Sequence, residues 1–139
     1  MLWRCLAIRD VENEIFTLVA TALREQVQGI YVTGEAVNTP SKFPCVCFYE
    51  ADNYSAREDL DSSAEEKINT LLYRVDVYTN NASGKKTAAK EILSVIHPLL
   101  YAKNFTRFSS APMNDLGDKI LHQAETYRVK TDGESFYRI

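Results

Sequence analysis

From Leu71 to Tyr78 the chain alternates without a break. Leu71, Tyr73, Val75 and Val77 fall on one side of an extended backbone, and Leu72, Arg74, Asp76 and Tyr78 on the other. A period of two belongs to a β-strand, because successive side chains point to opposite faces. The spacing predicts a strand over Lys67 to Thr79 with one face in a core and the other mixed. Such a strand is stable only within a sheet whose apolar face is covered, so the rest of the chain must supply partner strands and a cover.

The cover comes from two segments with helical spacing. Val11, Ile15, Leu18, Val19, Ala22 and Leu23 recur at steps of three and four, with Asp10 as the expected N-cap and Gly29 as a stop. Ala88, Ala89, Ile92, Leu93, Ile96 and Leu100 describe a second amphipathic helix, with Ser83 as its expected N-cap and Pro98 expected to kink or end it. Partner strands are expected at Ile30 to Glu35, at Phe43 to Glu50 with both faces packed, and at Phe105 to Met113 and Ile120 to Thr131. The turn cluster Asn114 to Gly117 makes the last two a hairpin. The order is α-β-β-β-α-β-β. It implies an α+β domain of about five strands in an antiparallel or mixed sheet, with both helices packed on one face. At 139 residues the chain reads as a single domain, 1–139, with residues 1–9 as a flexible N-terminal arm.

Charge is unevenly spread. Between Glu50 and Glu66 the periodicity vanishes, and seven acidic residues (Glu50, Asp52, Glu58, Asp59, Asp61, Glu65, Glu66) stand against Arg57 alone, a net −6. The whole chain carries −3, so the remainder is +3 and the acidity belongs to one expected loop. The chain lacks the clustered basic excess of a duplex-binding module. No apolar run approaches the roughly 20 residues of a membrane span. Cys45 and Cys47 share one strand face, no C-x-x-C pair exists, and the odd count of three cysteines points to reduced thiols rather than a disulfide framework.

Residues that could carry chemistry are few. His97 falls at the expected end of a helix, where the dipole favours a histidine, and His122 on the mixed face of a strand. Glu65 and Lys67 match the E-x-K half of a magnesium nuclease site, with Asp52, Asp59 or Asp61 upstream, but that pair borders a loop instead of sitting on a strand after a hairpin. No nucleophile elbow or phosphate-cradling glycine loop is present. No catalytic, metal or cofactor residue is therefore expected. Lys85 and Lys86 are the anomaly, since two cations in a first helical turn oppose the dipole unless they meet an acidic partner such as the acidic loop of a neighbouring copy. Eight tyrosines add to this. With Tyr73 and Tyr127 on the main sheet face, Tyr31, Tyr49, Tyr54, Tyr78, Tyr101 and Tyr137 cannot all be buried, and exposed tyrosine is typical of binding surfaces.

Several segments together suggest a family. Val11-Glu12-Asn13-Glu14-Ile15-Phe16, Ile30 to Glu35, Phe43-Pro44-Cys45-Val46 and Glu50-Ala51-Asp52-Asn53 resemble the minor structural proteins of long-tailed phages and prophages. Tyr73 to Asn80, Gly84-Lys85-Lys86 and Asn104-Phe105-Thr106-Arg107 continue the similarity, which spans Asp10 to Lys130; Met1 to Arg9 has no counterpart, and Trp3 there reads either as a docking arm or as the product of an upstream start of translation. The resemblance implies a tail terminator or tail-completion protein, whose α/β subunits form a hexameric ring that caps the tail tube and offers the head–tail joining surface. The implied partners are further copies of the chain, tail-tube protein and a head-completion or connector protein, with DNA passing through the lumen without specific binding. The implied place is the tail or neck of a virion assembled in the bacterial host cytoplasm. Asp59, Asp61, Glu65, Glu66, Lys85 and Lys86 are expected at subunit or tube contacts, with Arg74 and Asp76 pairing across the exposed sheet face. Two alternatives differ from this: a head-completion stopper on the portal side, and a nuclease built on Asp59, Glu65 and Lys67.

Overall fold

The alternating segment becomes the middle strand of the sheet. A computed structural model describes residues 11–54 and 68–139. The elements are α1 (Glu12–Gln26), β1 (Tyr31–Thr33), β2 (Cys45–Tyr54), β3 (Asn69–Thr79), α2 (Lys85–Ala102), β4 (Thr106–Met113), β5 (Leu121–Thr131) and β6 (Phe136–Tyr137). The strand order is β1-β2-β3-β5-β4, and β6 pairs with the last residues of β5. β1 runs parallel to β2 and every other pairing is antiparallel, so this is an α+β fold on a mixed sheet. The expected five strands become six, because β6, only two residues long, has no sequence period to reveal it.

β3 is paired along its whole length, from Asn69 opposite Thr131 to Thr79 opposite Leu121. Leu71, Tyr73, Val75 and Val77 face the helices, together with Val46 and Phe48 of β2 and Tyr127 and Val129 of β5. Onto this face α1 lays Ile15, Val19, Ala20 and Leu23, and α2 lays Ala89, Ile92, Leu93, Ile96 and Leu100. The Tyr73 ring stacks on Phe48 with centroids 5.2 Å apart and meets Phe105 edge-on at 5.4 Å. Tyr78 is buried, whereas Tyr31, Tyr54, Tyr101 and Tyr137 are exposed, as the supply of tyrosine requires.

Three local expectations are corrected. α2 is preceded by Gly84, not Ser83; the glycine takes a left-handed φ of 79°, accepts from the Ala88 amide at 2.9 Å, and no side chain caps the helix. Pro98 does not end α2, which runs on to Ala102. The residue is exposed, and the carbonyl its missing N–H leaves free belongs to exposed Ser94, where water can satisfy it. The stretch after Glu50 is not loop as far as Tyr54: Asp52, Asn53 and Tyr54 continue β2 by pairing with Leu72, Leu71 and Thr70 beyond a bulge at Glu50/Asp52. Backbone pairing sustains a polar strand that side-chain periodicity does not announce. The expected cap Asp10 lies outside the described residues.

α2 has no basic residue in its last turn. Arg138 supplies one from the other end of the chain: its guanidinium donates to the carbonyls of Tyr101 at 2.9 Å and Phe105 at 3.3 Å, and lies 4.0 Å over the Tyr101 ring. Cations at a helix C-terminus satisfy orphan carbonyls and the negative dipole end. Arg138→Ala is expected to lower stability by about 1 kcal/mol in urea titration. Ile96→Ala, which empties the fully buried position between α2 and the sheet, is expected to lower it by about 2–5 kcal/mol.

Candidate functional site

Where α2 crosses β5 and meets β4, the layers part to leave a cleft of about 410 Å³. From α2 come Lys86, Ala89, Lys90, Leu93, Ser94 and His97, spaced three and four apart along the border between its core face and its exposed face. From the sheet come Gln123 and Glu125 of β5, and Arg107, Ser110 and Pro112 of β4. Arg107 and Ser110 are an odd number of residues apart and would face opposite sides of a regular strand. The bulge between Arg107 and Ser109 shifts the register, so that Arg107 lies opposite Tyr127 and Ser110 opposite Glu125, both on the helix side. Phe108 is left on the outer face, half-exposed under the Arg128 guanidinium at 4.3 Å.

Glu125 is the floor of the cleft and is 1% exposed. A buried carboxylate needs partners for both oxygens. Tyr127 donates its hydroxyl proton to Oε1 at 2.7 Å, and Arg107 donates to Oε2 at 3.3 Å. Burial, and then the hydrogen bond to Glu125, push the Tyr127 phenol above its usual range, so it stays a donor. Its single proton being committed, the hydroxyl accepts from His97 Nδ1 at 3.2 Å. His97, expected at a helix end, is instead well inside α2 and turned toward the sheet. The chain His97–Tyr127–Glu125–Arg107 thus ties α2 to the β4–β5 hairpin beneath a rim of exposed cations. Ser110 accepts from Gln123 and Ser94 donates to the Glu91 carbonyl, so neither serine is set up by a base.

On the opposite sheet face a second polar group forms. His122, 4% exposed, has Nε2 2.7 Å from Asp76 Oδ1 and Nδ1 3.0 Å from Asp115 Oδ1, so whichever nitrogen carries the proton donates to a carboxylate. Tyr78 stacks on the imidazole at 4.3 Å and donates to the Val37 carbonyl at 3.0 Å. Arg74 Nε donates to Asp76 at 3.0 Å, and the Tyr49 hydroxyl donates to it at 3.3 Å. Burial, followed by the Asp76 charge, raises the Tyr49 phenol. These residues and the loop from Ala36 to Asn38 enclose a shallow depression of about 300 Å³. Cys45 and Cys47, both free and fully buried, lie beside it on the same face, as their spacing implied. The hydrogen bond between the two thiols, and then burial, hold the Cys47 thiol far above its normal range, so it is protonated and inert.

The expected interface residues separate. Arg74 and Asp76 do pair, but the expectation of an exposed face is corrected: Asp76 is 3% exposed, because His122 and Tyr49 close over it. Lys86 lines the α2–β4 cleft, whereas its neighbour Lys85 points to a different depression beside Asn80, Asp118 and Lys119. Asp59, Asp61, Glu65 and Glu66, with Lys67 of the nuclease alternative, lie outside the described residues. Sequence reading missed Arg107, Glu125 and Tyr127. The available signal was a glutamate at a core-parity position of β5, in step with Tyr127 and Val129. Among the described residues no three His, Cys, Asp or Glu side chains are grouped to hold a metal ion, and no helix is long and apolar enough to cross a membrane. No protein-family model matches the chain, and no curated protein matches it.

The hydrogen bond from His122, its largest cause, holds the exposed Asp115 carboxyl below the usual carboxylate range. A lowered folded-state value contributes stability above the unfolded-state value, and that contribution is lost as pH falls through the folded one. Carboxyl chemical shifts are expected to give Asp115 a midpoint below the ordinary 3.8, returning to it in His122→Ala. Tyr127→Phe removes one of the two partners of Glu125 and is expected to cost about 1–3 kcal/mol in urea titration, with the cleft otherwise intact.

Proposed function

We propose that this chain is a ring-forming structural subunit of a phage neck, a tail terminator or completion protein that caps the tail tube and presents the head–tail joining surface. The reading rests on the resemblance over Asp10 to Lys130, and one observation carries it further: the two ends of the sheet are unlike. One ends on β1, three residues long with Tyr31 exposed; the other ends on β4, exposed along nearly all of its eight residues, with Phe108 and Met113 open to solvent. Dissimilar ends are compatible with head-to-tail contact, in which one end of a subunit meets the other end of its neighbour, and such contacts close into a ring when the rotation between neighbours divides a full turn. β4 is also blunted against indiscriminate strand pairing by Pro112 and by its bulge, which directs association toward side-chain contacts. The role is one of binding without turnover: a sixfold ring meets a sixfold tube, and its lumen passes DNA without holding phosphates.

Negative-stain imaging of the purified chain, alone and mixed with tail-tube protein, tests this. Closed rings that settle on tube ends are the expected result. Monomers under both conditions would overturn the proposal, and rings that bind portal complexes but not tube ends would move the protein to the stopper position.

A further inference from the structure

We infer that the α2–β4 cleft is the receptor for the acidic segment of a second copy of this chain, with the carboxylates of Glu65 and Glu66 seated on Lys86 and Lys90. This deepens the ring reading by naming one contact between neighbours. Three cations line the cleft, Lys86, Lys90 and Arg107, against the single carboxylate of Glu125, which is already engaged by Arg107 and Tyr127. Apolar surface in the cleft comes from Ala89, Leu93 and Pro112. Lys86 and Lys90 are exposed, sit one helical turn apart, and have no carboxylate partner among the described residues. Lys86 also stands in the first turn of α2, where a cation opposes the helix dipole and an incoming carboxylate relieves the opposition.

The charge that complements this rim is concentrated in one segment, residues 56–67, where Glu58, Asp59, Asp61, Glu65 and Glu66 stand against Arg57 and Lys67, a net −3. The same subunit cannot deliver it. Ile68, which follows the acidic segment in sequence, adjoins Asn69, and Asn69 pairs with Thr131. The cleft lies at the level of Gln123 and Glu125, which pair with Val77 and Val75. That is six to eight residues along the strand, or about 20–26 Å at the usual rise. Glu65 and Glu66 are two or three residues from Ile68 and reach at most about 10 Å. Within one subunit Glu65 and Glu66 therefore fall short of the cleft, and their delivery by a second copy makes the contact heterologous.

The test uses a fluorescein-labelled peptide of residues 56–67 titrated with the full chain, together with sedimentation of charge-reversed chains. The peptide is expected to bind, and to bind at least about tenfold more weakly to Lys86→Glu/Lys90→Glu or in 0.5 M salt. Glutamate at 86 lies in the first turn of α2, where the dipole favours it, and glutamate at exposed position 90 is a good helix former, so this variant keeps its fold, which circular dichroism checks. Lys86→Glu/Lys90→Glu and Glu65→Lys/Glu66→Lys chains are each expected not to self-associate, yet to associate when mixed. No peptide binding, equal binding by the charge-reversed chain, or variants that associate as the parent does would overturn the inference. If it falls while closed rings still form, the ring reading stands; if the peptide binds and the swap restores association but no closed ring appears, the contact stands and the ring reading falls.

Discussion

Tyr73 is the residue around which both layers are arranged. It stands on the central strand, stacked on Phe48 and met edge-on by Phe105, so a single ring joins β2, β3 and the start of the β4 edge under the helices. Fully burying side chains of this kind contributes about 1.5–3 kcal/mol each, and aromatic pairs add about 0.5–1.5 kcal/mol beyond the area they bury. Neither helix has a side-chain cap, and α2 carries lysines at the wrong end of its dipole, whereas α1 has Glu12 and Glu14 in its first turn and Arg24 in its last. Their stability comes from laying an apolar stripe on the face that Tyr73 centres.

That sheet buries a carboxylate on each side. Glu125 lies on the helix face and Asp76 on the outer one, each nearly inaccessible, the first held by Arg107 and Tyr127 and the second by His122, Arg74 and Tyr49. Paired buried charges add little net stability relative to apolar packing, but losing a partner is costly, so they fix geometry more than they strengthen the fold. Here Glu125 orients Arg107 and links His97 to β5, which sets the shape of the cleft. Asp76 fixes His122 and Arg74, which ties the turn around Asp115 to the middle of the sheet.

Much of the fold was legible because the two periods are clean. The alternation in β3 and the three-and-four spacing of both helices identified the core faces, and the hairpin of β4 and β5 followed from the Asn114 to Gly117 turn. What was missed was local and has local reasons: Pro98 sits on the solvent side of α2 where its lost hydrogen bond matters little, Gly84 replaces Ser83 at the helix start through its left-handed backbone, and the end of β2 is held by pairing instead of by apolar alternation. Of the candidate site, Lys86, Arg74 and Asp76 were visible as unusual charges. Their surroundings were not, because the groups that enclose them, Arg107 and Glu125 near Lys86 and Tyr49 and His122 around Asp76, come from other elements far along the chain.

The sequence by itself determined which residues face inward, since periodicity is a property of neighbours along the chain. It also determined where the acidity is concentrated. Only the tertiary structure decided that Lys86 and Lys85 serve different depressions, that a bulge turns Arg107 toward Glu125, and that His122 is clasped between two aspartates. Those arrangements depend on strand register and on the crossing of α2 over β5, and no stretch of chain encodes a register without the strand it pairs with.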